Sequence, residues 1–214
     1  MNKTNWQNET DKVISGANAK MRLLLHACCA PCSSASLEYL SEFFEIDVLF
    51  YNPNISSISE FQKRLDELER FVSEYPFIRE IKVIPVEYNH SEFLQKIKGT
   101  EFAKEGGERC ERCFELRLEK TKEYAKEHGY DYYATTLTIS PLKNADVLNR
   151  IGLSFQDEQI KYLPTDLKKK GRYLRSIELS KEYRLYRQDF CGCEFSFAER
   201  QNQKRQEQNK TKND

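Results

Sequence analysis

The sequence predicts an α/β fold: a doubly wound, mostly parallel, Rossmann-like (PP-loop-like) sheet in a single domain. Short apolar segments alternate with longer amphipathic ones along the 214 residues, which is typical of successive βαβ units. The first apolar segment, Arg22–His26, has three successive leucines, as expected for a strand buried on both faces of a sheet. A chain of this length suits one domain of ordinary size.

Five strands are predicted, each from a short apolar segment. The first is Arg22–His26, and the others follow at residues 46–51, 81–86, 131–136 and 160–163. The turn residues Asn52-Pro53-Asn54 end the second strand.

Six helices are predicted from apolar residues spaced three and four apart. The first begins at Ser34, and the others occupy residues 59–75, 91–98, 111–127, 140 to about 151, and 176 to about 187. We expect Ser34 to cap the first helix, Pro141 to start the fifth and Gly152 to end it. Residues 99–108, which include two adjacent glycines, are expected to form a flexible loop.

The two ends of the chain are strongly polar. Such composition buries too little apolar surface to fold. We therefore expect residues 1–20 to be a flexible leader and residues 199–214 to be a disordered tail. Residues 21–198 are expected to form the catalytic domain.

Composition excludes a membrane protein. The mean hydropathy is −0.76, and no apolar run approaches the roughly 20 residues of a spanning helix. The N-terminus lacks the apolar segment of a secretory signal, so we expect a cytoplasmic protein with no membrane partner. Its 34 basic and 34 acidic residues cancel, which gives no overall signature of nucleic-acid binding. Residues 161–187 are a local exception, with nine basic and three acidic side chains.

Seven cysteines fall into three groups. They are Cys28, Cys29 and Cys32; Cys110 and Cys113; and Cys191 and Cys193. An odd number in a reducing compartment favours metal binding or thiolate chemistry over disulfides. The first group follows the first strand, at the sheet edge where such folds bind ligands, and a helix N-terminus there lowers thiolate pKa values.

The number of thiols permits more than one metal site. A [4Fe-4S] cluster takes four thiolates and leaves three, which with one carboxylate could hold a second metal. Asp189, two residues before Cys191, is the carboxylate placed to do so. Structural zinc and cysteines that merely pack in the core are the alternatives. His26 is either a ligand or proton donor, or a hydrogen-bonded core histidine.

Five motifs together resemble one known family. They are His26–Ser33 (HACCAPCS), Tyr51–Ile55 (YNPNI), Cys110–Leu118 (CxxCF with RL), Thr136–Asn144 (TLTISPxKN) and Leu185–Ser196 (LYRQDFCGCxFS). In this order, over residues 20–198, the sequence resembles the QueH-type epoxyqueuosine reductases. The resemblance implies a PP-loop-like fold and cobalamin-independent reduction of epoxyqueuosine to queuosine at the wobble position of tRNA, the last step of queuosine biosynthesis.

The resemblance also implies a [4Fe-4S] cluster and an adjacent mononuclear metal ion, iron or zinc. Carried to this sequence, the ligands are Cys28, Cys29, Cys110, Cys113, Cys191, Cys193 and Asp189, with Cys32 as a further candidate. Their division between the two metals stays open. The implied partners are the tRNA anticodon loop bearing epoxyqueuosine and an electron donor that the sequence does not identify.

The mechanism requires a proton donor and a nucleoside pocket. Asp189, His26 or a metal-bound water could protonate the leaving oxygen. The expected substrate contacts are Tyr51, Asn52, Thr136, Thr138, Ser140, Lys143 and Arg187. Basic residues between Lys168 and Arg187 are expected to meet the RNA backbone.

Two other classes of function would require different features. A PP-loop tRNA-modifying enzyme that uses ATP would need a glycine-rich phosphate loop after the first strand, and the sequence there has no glycine. A zinc-stabilised RNA-binding module would contain stoichiometric zinc and would bind RNA without turnover.

Overall fold

A five-stranded parallel sheet forms the centre of the computed structural model, which describes residues 4–16 and 21–211. The strands are β1 (Arg22–His26), β2 (Glu45–Phe50), β3 (Lys82–Pro85), β4 (Tyr132–Thr135) and β5 (Lys161–Tyr162). Their order is β3-β2-β1-β4-β5, and every neighbouring pair is parallel. The predicted doubly wound α/β fold is confirmed.

Helices cover both faces of the sheet. They are α1 (Trp6–Gly16), α2 (Ala30–Leu40), α3 (Ile58–Glu74), α4 (His90–Ile97), α5 (Glu108–Glu127), α6 (Ala145–Phe155), α7 (Arg172–Glu182) and α8 (Glu194–Thr211). Helix α2 packs between α3 and α7, whereas α5 packs between α4 and α6. In β1, Leu23 and Leu25 enter one apolar cluster and Leu24 enters the other, which explains why this strand needs apolar residues in succession. Within the described ranges, no helix is long and apolar enough to cross a membrane.

The strand order reverses between β1 and β4. The chain runs from β1 outward to β2 and β3, then returns to place β4 on the other side of β1. In such sheets a crevice opens at the carboxyl ends of the two strands that flank the reversal. Cys28 follows β1 directly at this point, and Thr136 follows β4.

Helix α2 begins at Ala30, four residues earlier than predicted, so the expected cap at Ser34 is wrong. Cys29 is the N-cap residue, and its side chain makes no capping hydrogen bond. Pro31 is tolerated in the first turn because its missing N–H has no intrahelical partner there. The earlier start places Cys32 in the first turn of the helix.

The predicted start and end of the fifth helix are also wrong. A 3-10 turn covers Thr136–Ile139, and α6 begins only at Ala145, where the Asn144 side chain accepts a hydrogen bond from the Asp146 amide. Gly152 lies inside α6. A Cβ atom there would approach the Tyr162 ring to 2.3 Å, so this glycine permits close helix–strand packing and does not end the helix.

Helix α7 covers residues 172–182, earlier than the predicted 176–187. Arg187 therefore lies in the irregular segment that leads from α7 to α8. The remaining strands and helices begin and end within three residues of the predicted positions.

Both chain ends contain helix where flexible segments are predicted. In α1, the Thr10 hydroxyl donates to the Pro164 carbonyl at 2.7 Å, and Gln7 contacts Arg172. Helix α8 continues to Thr211, through most of the predicted disordered tail. Long-range contacts of this kind leave no signal in local composition. Residues 1–3, 17–20 and 212–214 of the predicted leader and tail lie outside the described residues.

Candidate metal centre

The first cysteine group is compact and buried at the N-terminus of α2. The sulfurs of Cys28, Cys29 and Cys32 lie within 4.8 Å of one another. Among the described His, Cys, Asp and Glu side chains, no other set of three or more could hold a metal at this spacing. Hydrogen bonds from Cys28 and Cys32 lower the pKa of Cys29 well below its ordinary value, which makes it the thiolate of the group.

The other four cysteines reach the same region from two distant segments. Cys110 and Cys113 lie in the first two turns of α5, and Cys191 and Cys193 precede α8. Cys113 and Cys193 share one apolar cluster, whereas Cys110 packs against the cluster that contains Cys28. Burial raises the pKa of Cys113 to about 11 and that of Cys193 to about 12, so these thiols need a positive partner to ionise.

Backbone amides point at two of these sulfurs. The Gly106 amide donates to Cys110 Sγ at 3.2 Å, and the Ser196 amide donates to Cys193 Sγ at 3.4 Å. All seven cysteines are free thiols. Thiols gathered without disulfides, with amide donors directed at sulfur, form a donor set that fits iron–sulfur or zinc ligation.

Three cations surround the cysteines. Arg117 and Arg64 are almost fully buried, with 1% and 2% of their surfaces exposed. Arg64 Nη1 donates to the Cys191 carbonyl at 3.0 Å, and its Nη2 pairs with Glu60 at 2.7 Å. Burial opposes the charge of Lys143, but electrostatic attraction to the nearby sulfurs of Cys191 and Cys28 outweighs it and raises the pKa of Lys143. A negatively charged centre is therefore compensated from several sides.

An open cavity of about 880 Å³ lies over the cysteines, within the range of small-ligand sites. Cys28, Cys29, Cys32 and Cys191 line its floor and wall. Of the predicted substrate residues, the cavity is lined by Ser140, Lys143 and Arg187. Asp189 also lines it, opposite the end of the sheet.

The other predicted substrate residues are buried beside the cavity. Thr138 bonds the Thr165 hydroxyl at 2.8 Å, and the Tyr51 hydroxyl bonds Glu92, so the side chains of both have protein partners. Asn52 Nδ2 donates to the Ala27 carbonyl at 2.8 Å, but its Oδ1 has no partner among the described residues. Thr136 Oγ1 is likewise buried without a described partner.

His26 has no exposed surface, and both of its ring nitrogens have partners. Nδ1 lies 2.9 Å from Thr135 Oγ1, and Nε2 lies 3.0 Å from the Tyr51 carbonyl, to which it must donate. Burial lowers the pKa of His26 to about 3, so the ring is neutral. These are the features of the hydrogen-bonded core histidine rather than of a proton donor.

Asp189 is about half exposed and is paired with helix α8. Its Oδ2 lies 2.7 Å from Lys204 Nζ and 3.1 Å from Arg200 Nε. Both cations lower the pKa of Asp189, so the carboxyl group is ionised. Of the two predicted proton donors, only Asp189 faces the cavity.

The basic stretch between Lys168 and Arg187 is mostly occupied by partners inside the protein. Lys168 pairs with Asp166, Lys170 with Asp11, and Arg175 with Glu38. Arg172 is buried against Tyr39. These partners limit the freedom of the four residues to contact phosphates, and the expected contact of the basic stretch with the RNA backbone stays a prediction. Arg187 lines the cavity.

Sequence reasoning gave Arg64 no place at the site and placed Arg117 in a motif without a role, whereas it expected Gly192 to permit a backbone bend between two cysteines. Gly192 has φ +125°, and a Cβ atom there would lie 3.0 Å from Ile55 Cγ1 and 3.3 Å from Arg64 Nη1. Its position between two cysteines was the available signal. The two arginines look in sequence like ordinary charged positions of amphipathic helices.

Comparison with known proteins agrees with this geometry. A family model described as epoxyqueuosine reductase QueH matches residues 23–199. The epoxyqueuosine reductase QueH of Staphylococcus epidermidis is 41% identical over 202 residues, which cover 91% of this chain and 85% of the relative. The QueH of Streptococcus pyogenes is 41% identical over 86% of this chain and 74% of its own. The QueH of Thermotoga maritima is 34% identical over 83% and 91%. The chain belongs to the epoxyqueuosine reductase QueH family.

Proposed function

We propose that this protein reduces epoxyqueuosine to queuosine at the wobble position of tRNA. The observation that carries the proposal is the gathering of free cysteines at the sheet reversal: Cys28, Cys29, Cys32 and Cys191 line one cavity together with cationic side chains, and the other three cysteines lie near Cys191. The reaction removes the epoxide oxygen as water and consumes two electrons and two protons. The site must therefore hold an electron carrier, an anchor for the oxygen and a proton source.

The donor set fits a [4Fe-4S] cluster together with a mononuclear iron or zinc ion. Cys28, Cys29, Cys110, Cys113, Cys191, Cys193 and Asp189 would hold them, with Cys32 as a further ligand candidate, and the division between the two metals stays part of the proposal. When bound, the cluster supplies single electrons and the metal ion supplies a Lewis acid for the epoxide oxygen. An electron donor outside this chain must reduce the cluster between turnovers.

The chain's own residues bind the substrate and supply a proton. Lys143 and Arg187 line the cavity and offer positive charge to phosphate oxygens, while Ser140 offers a hydroxyl to the nucleoside. Asn52 and Thr136 keep unpartnered polar atoms beside the cavity for the same nucleoside. Asp189 is ionised, so where it is not a metal ligand it relays to the substrate a proton that it first accepts from solvent.

The RNA part of the proposal has its own test. Lys143→Met and Arg187→Met should each weaken tRNA binding and lower the slope of log affinity against log salt by about 0.7, the value for one phosphate contact of a single strand. Lys181→Met is the matched control, because Lys181 is an exposed cation of α7 that does not line the cavity. Equal salt slopes for all four proteins would contradict the assignment.

The decisive experiment is anaerobic purification followed by iron, zinc and sulfide analysis and an assay on epoxyqueuosine-containing tRNA. We expect about four sulfides and at least four irons per chain, with a broad absorption band near 400 nm that reductant bleaches. Turnover to queuosine should accompany that band. Stoichiometric zinc without sulfide or turnover would favour the zinc-stabilised RNA-binding module instead.

A further inference from the structure

Arg117 is a buried cation with no carboxylate partner among the described residues, and its guanidinium carbon lies 5.6 Å from the centre of the Phe114 ring. It lies on α5, one turn after Cys113, and only 1% of its surface is exposed. Its Nε donates to the Cys113 carbonyl at 3.3 Å. Nη1 and Nη2 are buried and have no hydrogen-bond partner among the described residues.

Other buried arginines of the chain have partners. Arg64 pairs with Glu60, Arg109 pairs with Glu199, and Arg172 contacts Gln7. No ion pair is found for Arg117 within the described residues. An unpaired buried charge costs several kcal/mol, so a protein keeps one only where an anion faces it.

The groups near Arg117 that can become anionic, on metal binding, are cysteine sulfurs. The electrostatic neighbours that favour its charged form are Cys113, Cys191, Cys28 and Cys110, which come from three segments of the chain. A divalent metal with four thiolates has a net charge of about −2, which leaves negative charge to be balanced at the ligands.

Resting on the function proposed above, we propose that Arg117 is the fixed counter-charge of the cysteine-bound metal centre. It acts through the ligand sulfurs and is a positioning residue, since it does not line the substrate cavity. Its charge strengthens metal binding and favours the reduced, more negative state of the centre. The energetic cost of its burial falls on the metal-free protein, and metal binding relieves it.

The first experiment measures affinity for Co²⁺ alone, added to metal-free protein and followed by thiolate-to-cobalt absorption. Arg117→Met and Arg117→Gln, which remove the charge, should bind Co²⁺ about 10-fold to 100-fold more weakly than wild type. Arg117→Lys should recover part of the loss. Arg172→Met is the matched control: it also removes a buried arginine, and it should bind like wild type.

The second experiment compares reduction of the anaerobically isolated proteins. Arg117→Met should lower the equilibrium constant for one-electron reduction about tenfold, which corresponds to a potential lower by about 59 mV. Arg172→Met should leave the potential unchanged. If the wild type has no reducible group, the proposed reductase function fails, and the Co²⁺ measurement still decides the role of Arg117.

The third experiment separates this role from a purely structural one. Metal-free Arg117→Met and Arg117→Gln should unfold at the same temperature as metal-free wild type or higher, because the unpaired charge is gone. Arg172→Met should unfold at a lower temperature. Loss of folding in both neutral variants without metal, or Co²⁺ affinities equal to wild type, would overturn the proposal.

Discussion

The cysteines after β1 and the cysteines before α8 reach one cavity by different structural means. Cys28, Cys29 and Cys32 lie between a central strand and the first turn of a helix. The Ala27 amide next to them donates to the Leu49 carbonyl at 3.0 Å. This group is held by the sheet itself, so we expect its geometry to exist before any metal binds.

Cys191 and Cys193 have no such framework. Their segment is irregular and is held by hydrogen bonds that include the Ser56 amide to the Gly192 carbonyl at 3.1 Å, Arg64 to the Cys191 carbonyl at 3.0 Å, and the Cys191 amide to Ser196 Oγ at 2.7 Å. The difference shows that assembly of the whole centre depends mainly on the polar contacts of the later segment.

Amide exchange gives the largest expected contrast between the two groups. In the metal-free protein, the Ala27 amide should exchange at least about a hundredfold more slowly than the Cys191 amide, because only the first belongs to the buried sheet. Metal binding should slow the Cys191 amide and leave Ala27 nearly unchanged. Equal protection in the metal-free state, measured by NMR or mass spectrometry, would remove the distinction.

Gly192→Ala should damage the later group selectively. The backbone has φ +125° there, and the new Cβ would meet Ile55 and Arg64. We expect a cost of about 2 kcal/mol, which is roughly thirtyfold in metal affinity. Gly129→Ala is the matched control, since Gly129 also has positive φ but has open space around it. Metal titration and circular dichroism measure the affinity and the fold, and equal affinities for the two variants would contradict the expectation.

Ser196→Ala should give a smaller effect in the same segment. It removes the hydroxyl that accepts from the Cys191 amide, at a cost of about 1 kcal/mol or about fivefold in metal affinity. Ser73→Ala is the control, because Ser73 is an exposed serine on α3 that bonds only the Arg70 carbonyl of its own helix. An unchanged affinity would mean that the other hydrogen bonds of the segment, including those with Arg64 and Ser56, are sufficient to fix it.

Glu38→Gln tests whether the first cysteine group depends on the packing of α2 against α7, at a contact that does not involve the cysteines. Glu38 on α2 pairs with Arg175 on α7 at 2.7 Å. The hydrogen bonds from Arg175 and Tyr75 lower the pKa of Glu38, so its stabilisation is present above the unfolded-state pKa and is lost as pH falls through the folded-state pKa.

At pH 7 the free energy of unfolding should therefore fall by about 1 kcal/mol or less in this variant. The difference from wild type in urea unfolding should shrink as the pH falls through the lowered folded-state pKa of Glu38, and metal content at pH 7 should stay the same. A loss of metal in Glu38→Gln would show that the first group is less independent of its surroundings than its position in the sheet indicates.

Local sequence pattern was sufficient for most of the fold and for the cysteines. The leucines of β1 define a strand buried on both faces, and the spacing of Phe61, Leu65 and Leu68 defines α3. The first residue of a helix was harder to predict where two local sequence signals favour different starts. Ser140-Pro141 has the composition of a helix start, but the preceding residues form a 3-10 turn, and α6 begins at Ala145 with Asn144 as its cap.

The gathering of the cysteines was predictable, and the lining of the cavity was less so. Ser140, Lys143 and Arg187 line the cavity as expected, but Tyr51 and Thr138 turn into the protein, because the sequence places a residue at a strand end without giving the direction of its side chain. The role of Arg117 at the site could not be predicted for another reason. The cysteines near it are 4 to 89 residues away in sequence, and only the fold shows that no described carboxylate comes with them.

The reversal of strand order also sets the time at which the centre can form. Parallel strands β1 and β4 are more than a hundred residues apart, and Cys28 and Cys193 enclose nearly the whole domain. Contacts between such distant segments form late in folding, because a large loop must close before they are made. Only a nearly native chain presents all seven thiols together. A cofactor would therefore be inserted into a folded protein, and the segment with Cys191 and Cys193 would dock last.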